Sequence, residues 1–314
     1  MPSVEVSVLG SNAIAGPPLQ IWGWEIGTYL FAGGLVAGLL VITGFAHRRG
    51  RGPMPASLAW WGPALAPVLL TAGMLALFLD LEHRWHAFRF YTTLRLTAPM
   101  SWGAWILLLV YPASVLFALG AWREFGPPLS LPGWLSAVSA WAERRRVPLA
   151  GINIGLGVAL GLYTGLLLSA FGARPLWNSA LLGPLFLISG LSTGAAALAL
   201  LESSEPDRER LSALDLKLIG AEAATLALLL VGLTTGGAAQ RAASQLFLGG
   251  SFTALFWVAV VLAGLAMPAL LELLHRLGRA QDTVYAQVLV LLGGFALRMV
   301  FLLAGQASRW GTMQ

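Results

Sequence analysis

Eight apolar runs of about 20 residues each divide this chain of 314 residues, and each is long enough to cross a bilayer as a helix. They lie near residues 21–46, 57–79, 98–121, 148–171, 179–201, 212–234, 250–272 and 283–305. Hydrocarbon offers backbone amides no water, so such runs must close their hydrogen bonds internally as helices. The composition agrees: 57% of residues are hydrophobic and only 11% charged, against about 25% charged in an ordinary soluble domain. The expected fold class is an all-α integral membrane protein of eight transmembrane helices. Two four-helix bundles fit that count, although no sequence repeat marks the division. Residues 1–20 and 306–314 then form an outer N-terminal segment and an outer tail around a membrane domain of 21–305.

Loop charge sets the expected orientation. Eleven of the 19 basic residues fall in the loops after spans one, three, five and seven, in HRRGR (47–51), Arg123 with ERRR (143–146), DRER (207–210) and HRLGR (275–279). Six lie in the opposite loops, and Lys217 and Arg298 lie within spans. Both termini are therefore expected on the outer side of a bacterial or archaeal cytoplasmic membrane. The start of the chain has no positive stretch before an apolar core, so the first span, not a cleavable signal, is expected to direct insertion. The net charge of +5 resides in loops and implies no nucleic-acid partner. In the loop after span three, Trp134, Val138 and Trp141 recur at helical spacing, which predicts a short amphipathic helix lying on the membrane surface.

Polar residues inside hydrocarbon are costly and mark function by default. Glu25 and Tyr29 are four residues apart in the first span and share a helix face. Their bland alternative is an interhelical hydrogen bond. Asp80 ends the second span at the outer face, with His83 just beyond. Tyr163 lies roughly 12 Å below the outer end of the fourth span, at 1.5 Å per residue. Arg174 and Asn178 follow in the outer loop, and Arg298 occupies the outer half of the last span. This common level predicts one shared outer pocket. Asp215, Lys217 and Glu222 lie in the sixth span as a candidate proton path. Lys217 has an alternative as an interfacial, snorkelling side chain.

The stretch YTGLLLSAFGARPLWNSALLGPLFLISGLSTG (163–194) resembles the NrfD/PsrC family, the membrane subunits of polysulfide, nitrite and related molybdenum-enzyme complexes. Supporting pieces are Trp24, Tyr29 and Gly33-Gly34; Leu79-Asp80-Leu81; Pro99-Met100-Ser101-Trp102-Gly103; and Gly293-Gly294, Leu297-Arg298 and Gly305-Gln306. One departure stands out: Asp80-Leu81-Glu82-His83-Arg84-Trp85 replaces the common Asp-Leu-Gly-Arg-Pro. The resemblance implies exchange of electrons and protons between a quinone, such as menaquinone, and an iron–sulfur partner on the outer side. That partner is expected to be a ferredoxin-like subunit with four clusters, which serves a catalytic subunit carrying molybdopterin. Tyr29, Tyr163, Arg174, Asn178 and Arg298 are then the expected quinone-binding residues. Glu25 is the expected proton acceptor, with Asp80 or His83 passing protons outward.

Cysteine is absent, so no thiolate-held cluster or metal is expected in this chain. The four histidines, at 47, 83, 86 and 275, fall in loops or at span ends, so no haem is expected either. Two other classes compete. A secondary transporter would gather polar groups near the midplane within an inverted repeat, and neither feature is apparent. A purely structural anchor leaves Glu25 and Tyr163 without a purpose.

Overall fold

Each of the eight expected spans is a helix. The computed structural model describes residues 22–49, 57–81, 92, 95, 98–128, 130–278 and 284–308, so His83 and the aromatic residues that follow it lie outside the described residues. The helices long and apolar enough to cross a membrane are α1 (Trp24–Arg49), α2 (Leu58–Asp80), α3 (Pro99–Phe125), α5 (Arg146–Ser169), α6 (Leu182–Leu201), α7 (Glu205–Thr235), α9 (Leu255–Arg276) and α10 (Val284–Ala307). Two shorter helices are also present among the described residues. α4 (Gly133–Arg144) forms where a short amphipathic helix was expected, with Trp134 and Trp141 exposed. α8 (Ala238–Leu248) was not foreseen.

The expected two bundles exist as two closed rings of contacts. In the first, α1 packs on α2, α2 on α3, α3 on α5, and α5 back on α1. In the second, α6 packs on α7, α7 on α9, α9 on α10, and α10 back on α6. α1 also packs on α6 and α10 and so forms the seam between the rings. Lipid tails are as apolar as leucine, so small residues and close backbone approach must hold such a seam. Gly34 and Gly38 of α1 meet Gly190 and Gly194 of α6 so closely that a methyl group at Gly38 would overlap the Gly190 carbonyl. In α5, Gly157 and Gly161 abut α1, and Gly165 abuts Leu182 and Gly183 of α6. Gly155 meets nothing.

A second device on the seam is Arg298, which is fully buried. Its guanidinium donates to the carbonyls of Leu30 (3.1 Å), Phe186 (3.2 Å) and Gly294 (2.7 Å) and to Ser189 Oγ (3.2 Å). It thereby bonds to α1 and α6 as well as to its own helix, and it lies against the Phe31 and Phe186 rings. The planar fork of arginine suits this task, because it supplies five donors in fixed directions.

Candidate functional site

Four helix ends of the first bundle meet at one side of the molecule: the start of α1, the end of α2, the start of α3 and the last third of α5. They enclose a cavity of about 230 Å³. Most of its wall is apolar, including Ile26, Met74, Leu77, Met100, Leu107 and Leu167. Three wall residues bear hydroxyl or carboxyl groups: Tyr29, Asp80 and Tyr163. Phe78 and Met100, both substantially exposed, stand at its edge. The volume lies somewhat below the usual 300–1,000 Å³ of small-molecule pockets, which suits one flat ring with any long substituent left in lipid.

Tyr163 is the most telling of these groups. The residue is 5% exposed, yet its hydroxyl has no hydrogen-bond partner among the described residues. Its side chain lines the cavity, so the hydroxyl is available to a bound group as donor or acceptor. Its ring is seated against Gly103 of α3, where any Cβ would run into both ring and hydroxyl. The Pro99–Gly103 segment therefore shapes the cavity through the absence of a side chain. Tyr29 is 3% exposed and approaches from α1.

The roof is fastened by residues that sequence reasoning overlooked. Trp22, a cavity residue, donates its backbone N–H to Gln306 Oε1 (3.0 Å) and accepts from Gln306 Nε2 (2.8 Å) at its carbonyl. The Trp22 ring stacks on Trp177 at 5.6 Å and meets Phe171 edge-on at 5.0 Å. Trp177 in turn donates Nε1–H to the Phe301 carbonyl (2.9 Å). The end of the second bundle thus holds a wall of the cavity in the first.

The other expected site residues lie elsewhere, and the single pocket gathering all of them is corrected in this respect. Glu25 is half-buried in the first turn of α1. Its carboxylate folds back toward Gly23, an arrangement that favours the helix's unpaired amides. It does not line the cavity, although its charge reaches Asp80. Arg174 is buried and donates to the Ser308 carbonyl (2.8 Å), which ties the 170–181 loop to the end of α10. Asn178 is exposed, and Arg298 sits on the seam. Asp215 and Glu222 are buried in the second bundle, whereas Lys217 is exposed. Tyr29 and Tyr163 could be found because a phenol within an apolar run stands out. Gln306 and Trp177 act through tertiary contacts more than a hundred residues apart in sequence, which no local pattern announces.

Fold and cavity together define a class: an eight-span helical protein with a small, mostly apolar cavity carrying two phenols and a carboxylate near one membrane face. The family profile described as "Polysulphide reductase, NrfD" matches residues 13–308, and the chain belongs to this family. It is 31% identical to the C subunit of polysulfide reductase from Wolinella succinogenes over 299 residues, covering 91% of this sequence and 94% of that protein. It is 29% identical to the protein NrfD of Escherichia coli over 307 residues, covering 92% of this sequence and 96% of that one.

Proposed function

We propose that this chain is the quinone-reacting subunit of a membrane-bound reductase complex, with its quinone site in the Tyr29–Asp80–Tyr163 cavity. The observation that carries the reading is the Tyr163 hydroxyl, which makes no hydrogen bond among the described residues and belongs to a side chain lining a cavity sized for one ring. Quinone carbonyl oxygens accept hydrogen bonds, and Tyr163 and Tyr29 approach the cavity from α5 and α1 as donors. The apolar wall fits the ring faces, and the edge at Phe78 and Met100 is the natural exit for an isoprenoid tail.

Interconversion of quinone and quinol moves two electrons and two protons. Asp80 stands at the end of α2, where a carboxylate exchanges protons between the cavity and the outer water. Glu25 is close enough to influence its charge and acts behind it. His83 remains part of the proposed outward route. Arg174 and Asn178 organise the loop beside the cavity, and Arg298 supports Tyr29 through the adjacent Leu30 carbonyl. The chain contains no cysteine, so the electrons pass to an iron–sulfur subunit docked over the outer end of the cavity. A molybdopterin-bearing catalytic subunit lies beyond it. In this reading the protein lies in the cytoplasmic membrane with both termini outside.

The test is turnover of the assembled complex with a soluble naphthoquinol. Tyr163→Phe keeps the ring but removes the donor, which costs about 1–3 kcal/mol, or roughly five- to hundredfold at limiting quinol. Asp80→Asn is expected to slow kcat more than it raises KM, because it removes a proton acceptor and keeps the shape. Wild-type rates in both variants would refute the assignment.

A further inference from the structure

Gln306, near the end of α10, grips the chain at a point that also belongs to the cavity. Its amide accepts from the Trp22 N–H (3.0 Å) and donates to the Trp22 carbonyl (2.8 Å). One side chain thereby satisfies both backbone groups of a residue that precedes the first turn of α1. Trp22, Ile26 and Tyr29 all line the cavity, and their spacing of four and three places them along one side of the chain. The two bonds thus fix one end of the cavity's α1 wall. The other end is fixed by the same helix, because Arg298 donates to the Leu30 carbonyl (3.1 Å) beside Tyr29. Gln306 and Arg298 are eight positions apart, about 12 Å along α10, and the points they hold, 22 and 30, are also eight apart. Between them Gly27 lies so close to Met299 that a Cβ there would overlap the sulfur. α10 is a splint laid along the stretch of chain that lines the cavity.

A tie between two helix ends can serve assembly alone, but the packing behind Trp22 argues for more. The Trp22 indole stacks on Trp177 and meets Phe171 edge-on, and those two rings meet each other at 6.1 Å. Both belong to the 170–181 loop, which is itself bonded to α10. Trp177 donates to the Phe301 carbonyl (2.9 Å), and Arg174 donates to the Ser308 carbonyl (2.8 Å). Gly305, next to Gln306, leaves the space that the Trp177 indole fills; a Cβ there would run into the ring. α10 therefore supports the backbone of Trp22 directly and its ring through the loop. An aromatic wall held in this way keeps its plane, which is what a flat ligand ring packs against. An indole free to swing would have to be ordered at every binding event.

We propose that Gln306 is a positioning residue for the quinone: it sets the Trp22 indole as a fixed wall of the cavity and acts on affinity instead of on the chemical step. This rests on the quinone reading of the cavity. The wall meets the ring alike in quinone, quinol and the transition state between them, so its loss weakens all three together. The hydroxyl and carboxyl groups that handle protons stay in place.

The experiment uses the whole complex, with turnover of a soluble naphthoquinol and fluorescence titration of heptyl-hydroxyquinoline N-oxide. Gln306→Met keeps the length and bulk of the side chain and removes both hydrogen bonds. It is expected to raise KM and the inhibitor Kd about fivefold or more, the worth of one hydrogen bond, while kcat stays within about twofold. Trp22→Leu removes the indole and leaves the backbone tie, and it is expected to weaken binding to a similar degree. In the Trp22→Leu background, Gln306→Met is expected to add less than about twofold, because it acts through the missing ring. A role confined to joining the bundles would cost the same with or without the indole. Native KM and Kd in Gln306→Met, a loss that falls on kcat, or full additivity of the two changes would overturn the proposal. If Gln306→Met does not assemble, native affinity in Trp22→Leu overturns it alone. Tyr163→Phe separates the two readings. Weakened binding there, with native affinity in Gln306→Met and Trp22→Leu, rejects only the clasp; native affinity in Tyr163→Phe rejects the cavity assignment.

Discussion

Gly103 defines the cavity as much as any side chain does. The Tyr163 ring occupies the space a Cβ would need, so Gly103→Ala must push the phenol off its position. Overpacking of this kind costs about 1–3 kcal/mol. The variant is expected to assemble but to bind a quinone-site inhibitor at least fivefold more weakly, as read by fluorescence titration. Unchanged affinity would mean that Tyr163 is free to relocate. At this scale the sequence exposed chemistry but not direction. A position along a helix axis gives depth at 1.5 Å per residue, and Tyr29, Asp80 and Tyr163 do share a level. Depth says nothing of the angle around the axis, which is why Arg298, at a similar level, faces the seam instead. Glu272 closes the predicted seventh span, where a terminal charge reads as interfacial; only its contacts with α7 reveal it as buried.

Among the helices, α1 carries the heaviest structural demand. Most of its length is buried, and its contact with α6 is backbone against backbone at Gly34, Gly38, Gly190 and Gly194. Gly38→Leu is therefore expected to part the two bundles and abolish recovery of folded chain from membranes. Gly155→Leu, on the open surface of α5, is expected to leave yield and detergent melting temperature unchanged. Equal behaviour of the two variants on size-exclusion chromatography would contradict the seam. The spans were legible because hydropathy alone demands them. Their ends were less so: α7 starts at Glu205, seven residues before the expected span, because the Glu205–Arg208 (2.7 Å) and Asp207–Arg210 (2.8 Å) pairs extend it beyond the apolar run. α8 escaped notice because eleven residues rich in alanine and glutamine carry no membrane signal. It is held by stacking of Phe247 on Phe256 at 4.5 Å.

The whole molecule joins two bundles with different polar contents. The first holds a cavity with phenols at one face; the second buries the acids Asp215, Glu222 and Glu272. The Trp22–Gln306 clasp and Arg298 connect them, so the cavity's roof and its α1 wall both depend on α10. Two bundles were expected from helix number alone, and no repeat in the sequence could announce the division, since what makes it is the pattern of glycine contacts across the seam. The same architecture makes the central claim accessible to a direct binding measurement. Heptyl-hydroxyquinoline N-oxide, a fluorescent quinol mimic, is to be titrated into the purified complex carrying native Tyr163 or Tyr163→Phe. A saturable site of one inhibitor per complex, weakened roughly five- to hundredfold by loss of that hydroxyl, is the predicted result. Equal affinity in the two proteins, or no saturable binding to the native complex, would contradict it.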